Sequence, residues 1–350
     1  MRYFIINLIF SNMVGVQMKL DRLDWINLGE ETPVDPNLRI VDPHHHLWER
    51  GGSRYLAEEL HEDTSKGHNV TNTIFVECKA EYRPNGEEKF RSLGETEFVV
   101  KEAERLEELS ETKISGIVAF VDLTLGEGLE EVLLEHDQCS SGLMRGVRHA
   151  TAWSDDPEIS IAHTKPAKAV MGSKLFLEGV SKLSTFNFTF DGWLYFDQLP
   201  ELLHLARVTP ETNIVINHLA APLQIGKWAA IPQEVDEIWR SNLQKLAKCE
   251  NVYLKLGGIG MDNYFANDWV NQNKPPSSDD VAAVWKEKIL WCIEIFGTDR
   301  CMFESNYPVD RQTLPYSVIW NSFQKVTDSF TENEKSDLFS STACNVYRVP

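Results

Sequence analysis

The chain predicts an α/β protein built as a single-domain, closed parallel (β/α)8 TIM barrel. Three observations point there. Eight short runs rich in β-branched and aromatic residues alternate with amphipathic stretches. A length of 350 residues is enough for one large barrel or for two ordinary domains. No Gly-x-Gly-x-x-Gly opens a helix after the first run, which disfavours the runner-up, a doubly wound open sheet.

Residues 1–35 read as an N-terminal extension and 36–350 as the barrel domain. The apolar run Phe4–Phe10 is too short to span a bilayer, follows one arginine and lacks an Ala-x-Ala-like cleavage site. A start at Met18 is the favoured reading, with residues 1–17 dispensable. Residues 19–37 are polar, contain Pro33 and Pro36, and read as an arm leading into the first strand.

Strands are expected at 39–44, 73–78, 115–121, 145–149, 188–195, 213–218, 251–257 and 300–304. Between them, Glu95–Ser110 places Phe98, Val99, Ala103, Leu106 and Leu109 at helical spacing. Further helices are expected at 127–138, 157–171, 198–207, 234–249 and 280–296, then 313–328 and 332–347. The loop Asp262–Asp280, with Tyr264, Phe265 and Trp269, reads either as a lid or as a surface loop packed on its aromatics.

Composition narrows the partners. The hydrophobic fraction is 42% and the charged fraction 25%, as in a water-soluble protein. A net charge of −19 argues against a nucleic-acid or anionic-membrane surface. A small-molecule substrate remains, with a homo-oligomer left open. Six scattered cysteines show no metal-knuckle or redox spacing and read as free thiols of a cytoplasmic protein.

The chemistry should gather at the C-terminal ends of the strands. On an extended run, His44 and His46 point one way and His45 the other. Two imidazoles on one face can meet a single ion or substrate. Glu77 ends the second strand and reads as a ligand, a partner fixing an imidazole, a base, or a buried ion pair with Lys79 or an arginine. Arg145 and Arg148 have opposite parity, so only one can face the cavity. His218 ends an apolar strand, where an unbonded imidazole would be costly. Glu304 and Asn306 share a face of the last strand, with Asp310 in the loop beyond.

From about Leu38 onward the chain resembles the amidohydrolase superfamily, and more narrowly its amidohydrolase-related, lactonase-like metal-dependent hydrolases. The resemblance rests on His44-His45-His46, Thr73–Glu77, Arg145-Gly146-Val147-Arg148-His149, Asn217-His218-Leu219, Lys255-Leu256-Gly257-Gly258 and Met302–Asp310. It implies a metallo-dependent barrel that opens a lactone or related ester. It also implies one divalent ion, zinc first, held by His44, His46 and Glu77 or His218, although relatives work with and without metal. His218 or the ion would polarise the carbonyl, and Glu77 or Glu304 would take the water proton. Arg148 would hold a substrate carboxylate, the substrate being a small acid or sugar derivative.

The chain departs from the pattern at Asn306, where relatives carry an aspartate, and at Phe196, which cannot ligate. Decarboxylation on the same scaffold and a barrel that has lost catalysis are the other readings.

Overall fold

The structure, a computed structural model, describes residues 22–350. The expected leader 1–17 and the start at Met18 lie outside the described residues. Eight parallel strands follow one another in chain order around one sheet. They are β1 (Arg39–His45), β2 (Asn69–Val76), β3 (Lys113–Ala119), β4 (Met144–Val147), β5 (Thr189–Gly192), β6 (Ile214–Ile216), β7 (Val252–Leu256) and β8 (Cys301–Phe303). The two edges meet just beyond β8. Tyr307 bridges His45, His46 N donates to Tyr307 O at 2.7 Å, and Asn306 N donates to His44 O at 2.9 Å. The barrel is thereby closed where the histidines lie.

Alternation along each strand sorts its side chains. Phe75, Ile117, Ile216, Leu254 and Phe303 face the surrounding helices. Val41, Ile74, Val76, Val118, Val215 and Met302 fill the interior with Ala343, Val346 and Tyr347 from the C-terminal segment. That segment plugs the floor of the barrel. Each such fully buried apolar side chain contributes roughly 1.5–3 kcal/mol.

One departure concerns residues 157–171, expected to be helical. That stretch is turns, and the helix is Lys174–Leu183. Pro166 lacks the amide a helix interior needs, and the helix starts only where the Ser173 side chain accepts from Phe176 N. The fifth strand stops at Gly192 rather than running to residue 195, and a helical turn, Phe196–Gln198, starts behind Tyr195.

The arm is not a mere leader. Trp25 Nε1 donates to Gln272 O at 2.9 Å, and Glu31 caps the helix Ser278–Phe296 through Ser278 N at 2.9 Å. Residues 22–35 are therefore stitched to the loop that carries Tyr264. No helix among the described residues is long and apolar enough to cross a membrane. All six cysteines are free.

Candidate active site

The site begins with a register break. β1 shifts against β2 between Asp42 and His45. Asp42 holds the break: one carboxylate oxygen accepts from His44 N at 3.3 Å and Ser305 N at 3.0 Å, the other from Tyr316 OH at 3.1 Å. Burial pushes the Asp42 carboxyl up to about 6 despite these bonds.

His44 and His46 share the interior, their ring centroids 4.9 Å apart. His45 turns away onto Phe75 and meets Thr73 Oγ1 at 3.0 Å. His46 Nδ1 lies 2.7 Å from Val76 O, so it carries the proton and Nε2 is the acceptor. Burial, and then the charge on Lys255, hold the His44 imidazole well below its usual range. His44 is neutral and available as a ligand.

Glu304 joins the two ends of the site. Its Oε1 lies 2.7 Å from His218 Nδ1 and accepts from His218 N at 3.1 Å. Its Oε2 passes 2.7 Å from His44 Nδ1, but at an angle that makes no hydrogen bond, and is left buried without a partner. Among the described residues, His44, His218 and Glu304 form the one group placed to hold a metal ion. Two imidazoles and a carboxylate suit zinc, and the orphaned buried oxygen gives a cation something to neutralise.

The glycine pair after β7 makes this possible. A Cβ on Gly257 would stand 2.2 Å from Glu304 Cγ, and one on Gly258 would stand 2.7 Å from the His218 ring. His218 itself starts four consecutive left-handed residues, with φ of 52°, 55°, 57° and 40° through Ala221. That strain, concentrated at the site, aims the imidazole inward.

Among the described residues, Glu77 is outside the group placed to hold a metal ion. Its Oε1 accepts from Arg148 Nε at 2.7 Å and its Oε2 faces His163 Nε2 at 2.8 Å. Its backbone oxygen accepts from Arg148 Nη2. Burial alone would raise the carboxyl, yet His163 and Arg148 pull it down to about 2. With both oxygens hydrogen-bonded and little basicity left, Glu77 is poorly suited to be the base. It forms the buried ion pair with an arginine that was the plain alternative. Arg148 Nη1 also reaches His44 Nε2 at 3.3 Å, so three of its five N–H donors face Glu77 and His44. Arg145 lies at the other end of its strand on the Gly142 and Met144 carbonyls, so Arg148 is the arginine that faces the cavity.

Asn306, left-handed at φ 54°, donates Nδ2 to Asp310 Oδ1 at 2.7 Å, while Asp310 Oδ2 accepts from Gly260 N at 2.8 Å. Burial drives the Asp310 carboxyl far up. Asn306 Oδ1 is buried and unpartnered.

Four contributors lie outside the expected site residues: Lys255, Asp191, Tyr347 and His163. Lys255 Nζ donates to Pro43 O and Asp191 Oδ2, each at 2.8 Å, and Tyr347 OH reaches Asp191 Oδ2 at 2.7 Å. This layer supports β1 beneath His44. A lysine inside the apolar run Val252–Leu256 was its signal. His163, in a long irregular connection, had none.

A model of the family described as Amidohydrolase matches residues 41–349. The chain is 28% identical over 333 residues to the uncharacterized protein y4mH of Sinorhizobium fredii, covering 89% of this chain and 99% of that one. It is 25% identical over 201 residues to an L-fucono-1,5-lactonase of Burkholderia ambifaria, covering 56% of this chain and 57% of that one. A zinc-bound amidohydrolase structure from Burkholderia multivorans superposes with a TM-score of 0.69 at 21% identity, covering 89% of this chain and 99% of that one. With the family match running from β1 to the plug of the barrel floor, the chain belongs to the amidohydrolase family.

Proposed function

We propose that this chain hydrolyses a lactone or related ester of a small, hydroxylated, sugar-derived acid. The observation that carries the reading is Glu304, a buried carboxylate joined to His218 with its second oxygen unpartnered beside His44. His44, His218 and Glu304 would hold one divalent ion, zinc being the best match to the donors. When bound, the ion supplies carbonyl polarisation and a more acidic water.

The protein's own groups do the rest. Water adds its oxygen to the carbonyl carbon, and Glu304 accepts the proton released. The ring C–O bond breaks, and the same proton passes to the departing oxygen to give the hydroxy acid. Asn306, held by Asp310, offers its free Oδ1 to orient water.

Two observations favour a hydroxylated over a dicarboxylate substrate. Arg148 is committed to Glu77 and His44. Beside His218, Trp193 lies at 5.0 Å and 73°, with Tyr264 at 5.8 Å behind it. The half-buried Trp193 ring can take the C–H face of a sugar ring. The likeness to an L-fucono-1,5-lactonase is in keeping with this.

The test is metal analysis of the purified protein with aldono-1,5-lactones, dicarboxylate lactones and aromatic acids as substrates. Acid release from the aldono-lactones is expected. Carbon dioxide release without water uptake would make the chain a decarboxylase. Ligand-induced stabilisation with no turnover would make it a binding barrel.

A further inference from the structure

Residues 148–173, between β4 and the helix Lys174–Leu183, deliver one imidazole to the catalytic face. His163 Nε2 lies 2.8 Å from Glu77 Oε2. Glu77 is wholly buried, whereas the His163 side chain keeps 22% of its surface exposed. The connection around it is fastened. Ala162 N donates to Ala152 O at 2.8 Å, Thr164 Oγ1 donates to Ala150 O at 2.5 Å, and Tyr195 OH donates to Ser160 O. His163 is thus held from both sides of its own backbone.

The partner decides which nitrogen carries the proton. An ionised carboxylate only accepts, and Arg148 Nε already occupies the other Glu77 oxygen at 2.7 Å. Nε2 of His163 must be the donor, so in the neutral ring Nδ1 is an acceptor. Among the described residues, Nε2–Glu77 is the hydrogen bond His163 makes, and Nδ1 has no protein partner. The line His163–Glu77–Arg148–His44 ties this ring rigidly to the site, through Arg148 Nη1 at 3.3 Å from His44 Nε2.

We propose that His163 is a substrate-binding residue whose Nδ1 accepts a hydrogen bond from a substrate hydroxyl, with Glu77 fixing the ring. This rests on the reading of the site as one for a hydroxylated lactone. Glu77 and Arg148 are then positioning residues that act through His163 and His44.

The experiment compares His163→Gln and His163→Asn with the wild type on an aldono-1,5-lactone and on δ-valerolactone, which has no hydroxyl. Glutamine can keep the donor to Glu77 and loses the acceptor at Nδ1, whereas asparagine can restore an acceptor there. For His163→Gln the KM for the aldono-lactone should rise about tenfold with kcat within about twofold, the loss of one binding hydrogen bond. The δ-valerolactone constants should not move, and His163→Asn should recover part of the loss. Equal KM changes for both lactones, or a fall in kcat alone, overturn the proposal.

A second arm needs no turnover. Nitrogen NMR of the wild-type ring should show the Nε2–H tautomer, with Nδ1 shifting when gluconolactam, which the enzyme does not open, is added. An Nδ1–H tautomer, or an Nδ1 signal indifferent to the lactam, overturns it. Lactam-dependent shifts in a protein that hydrolyses no lactone would uphold His163 as a binding residue while refuting the hydrolase reading.

Discussion

A Cβ placed on Gly258 would stand 2.7 Å from both Cγ and Nδ1 of His218. Gly258 also has φ +66°, where an L side chain costs roughly 1–2 kcal/mol. Gly258→Ala should therefore swing His218 off Glu304. Turnover is expected to fall by at least ~10²-fold, as for a group displaced by about 1 Å. Circular dichroism should remain that of the folded barrel. Unchanged turnover would mean that the position of His218 is not critical.

The two buried glutamates should separate by what their loss does. Glu77→Gln removes the counter-charge from Arg148 inside the barrel, so stability to urea should fall by about 3–5 kcal/mol. Glu304→Gln should lower kcat by ~10²–10⁴-fold, the usual share of a general base. It should also weaken zinc retention, read by metal content after dialysis. A Glu77→Gln protein that stays stable and loses kcat by ~10²–10⁴-fold with KM unchanged would return Glu77 to the role of base.

This separation shows how far sequence reaches. Period-two alternation put His44 and His46 together on the interior with His45 turned away, because a strand face is a local property. Which carboxylate meets the histidines is not local. Glu77 directly follows β2 beside β1 and still turns to Arg148 and His163, a cation just past β4 and a ring from a distant loop. The glycines of Lys255-Leu256-Gly257-Gly258 were visible as a mark, but their purpose, room for Glu304 and His218, exists only once β7 and β8 pair. The helix misplaced onto 157–171 could have been refused from Pro166 alone.

Acid–base linkage gives a prediction at Glu95, which accepts from Cys78 N at 2.9 Å and Ala80 N at 2.7 Å and leaves Oε2 unpartnered. Burial, then repulsion from Glu77, raises its carboxyl from 4.5 to about 8. The folded state keeps a proton that the unfolded chain loses near 4.5. Stability from this group is full below that value and is lost as pH rises through about 8. Glu77, lowered to about 2, acts oppositely and loses its stabilisation as pH falls from 4.5 toward 2. Glu95→Gln imitates the protonated acid. It should gain ~1–3 kcal/mol over the wild type at pH 9 and almost nothing at pH 4. Equal effects at both pH values would show that Glu95 does not hold its proton.

The departure at Asn306 can be tested by exchange. Asn306 Nδ2 donates to Asp310 Oδ1 at 2.7 Å, and Asp310 is fully buried. Asn306→Asp alone would set two carboxyls against each other in a dry site that already holds Glu304. One of them must then stay protonated. Stability should drop by about 1–3 kcal/mol, as when a buried hydrogen bond is lost, and turnover should fall rather than rise. Adding Asp310→Asn restores one amide and one carboxylate with their places exchanged, and should recover most of the stability. The coupling between the two changes is then favourable by roughly 0.5–3 kcal/mol in a double-mutant cycle. Turnover in the exchanged protein decides the meaning of Asn306. If it stays low, the natural order matters, with the free amide oxygen serving water and the acid held back beneath it. If Asn306→Asp alone raises turnover sharply, the aspartate is the better base, and the natural chain is a weakened hydrolase.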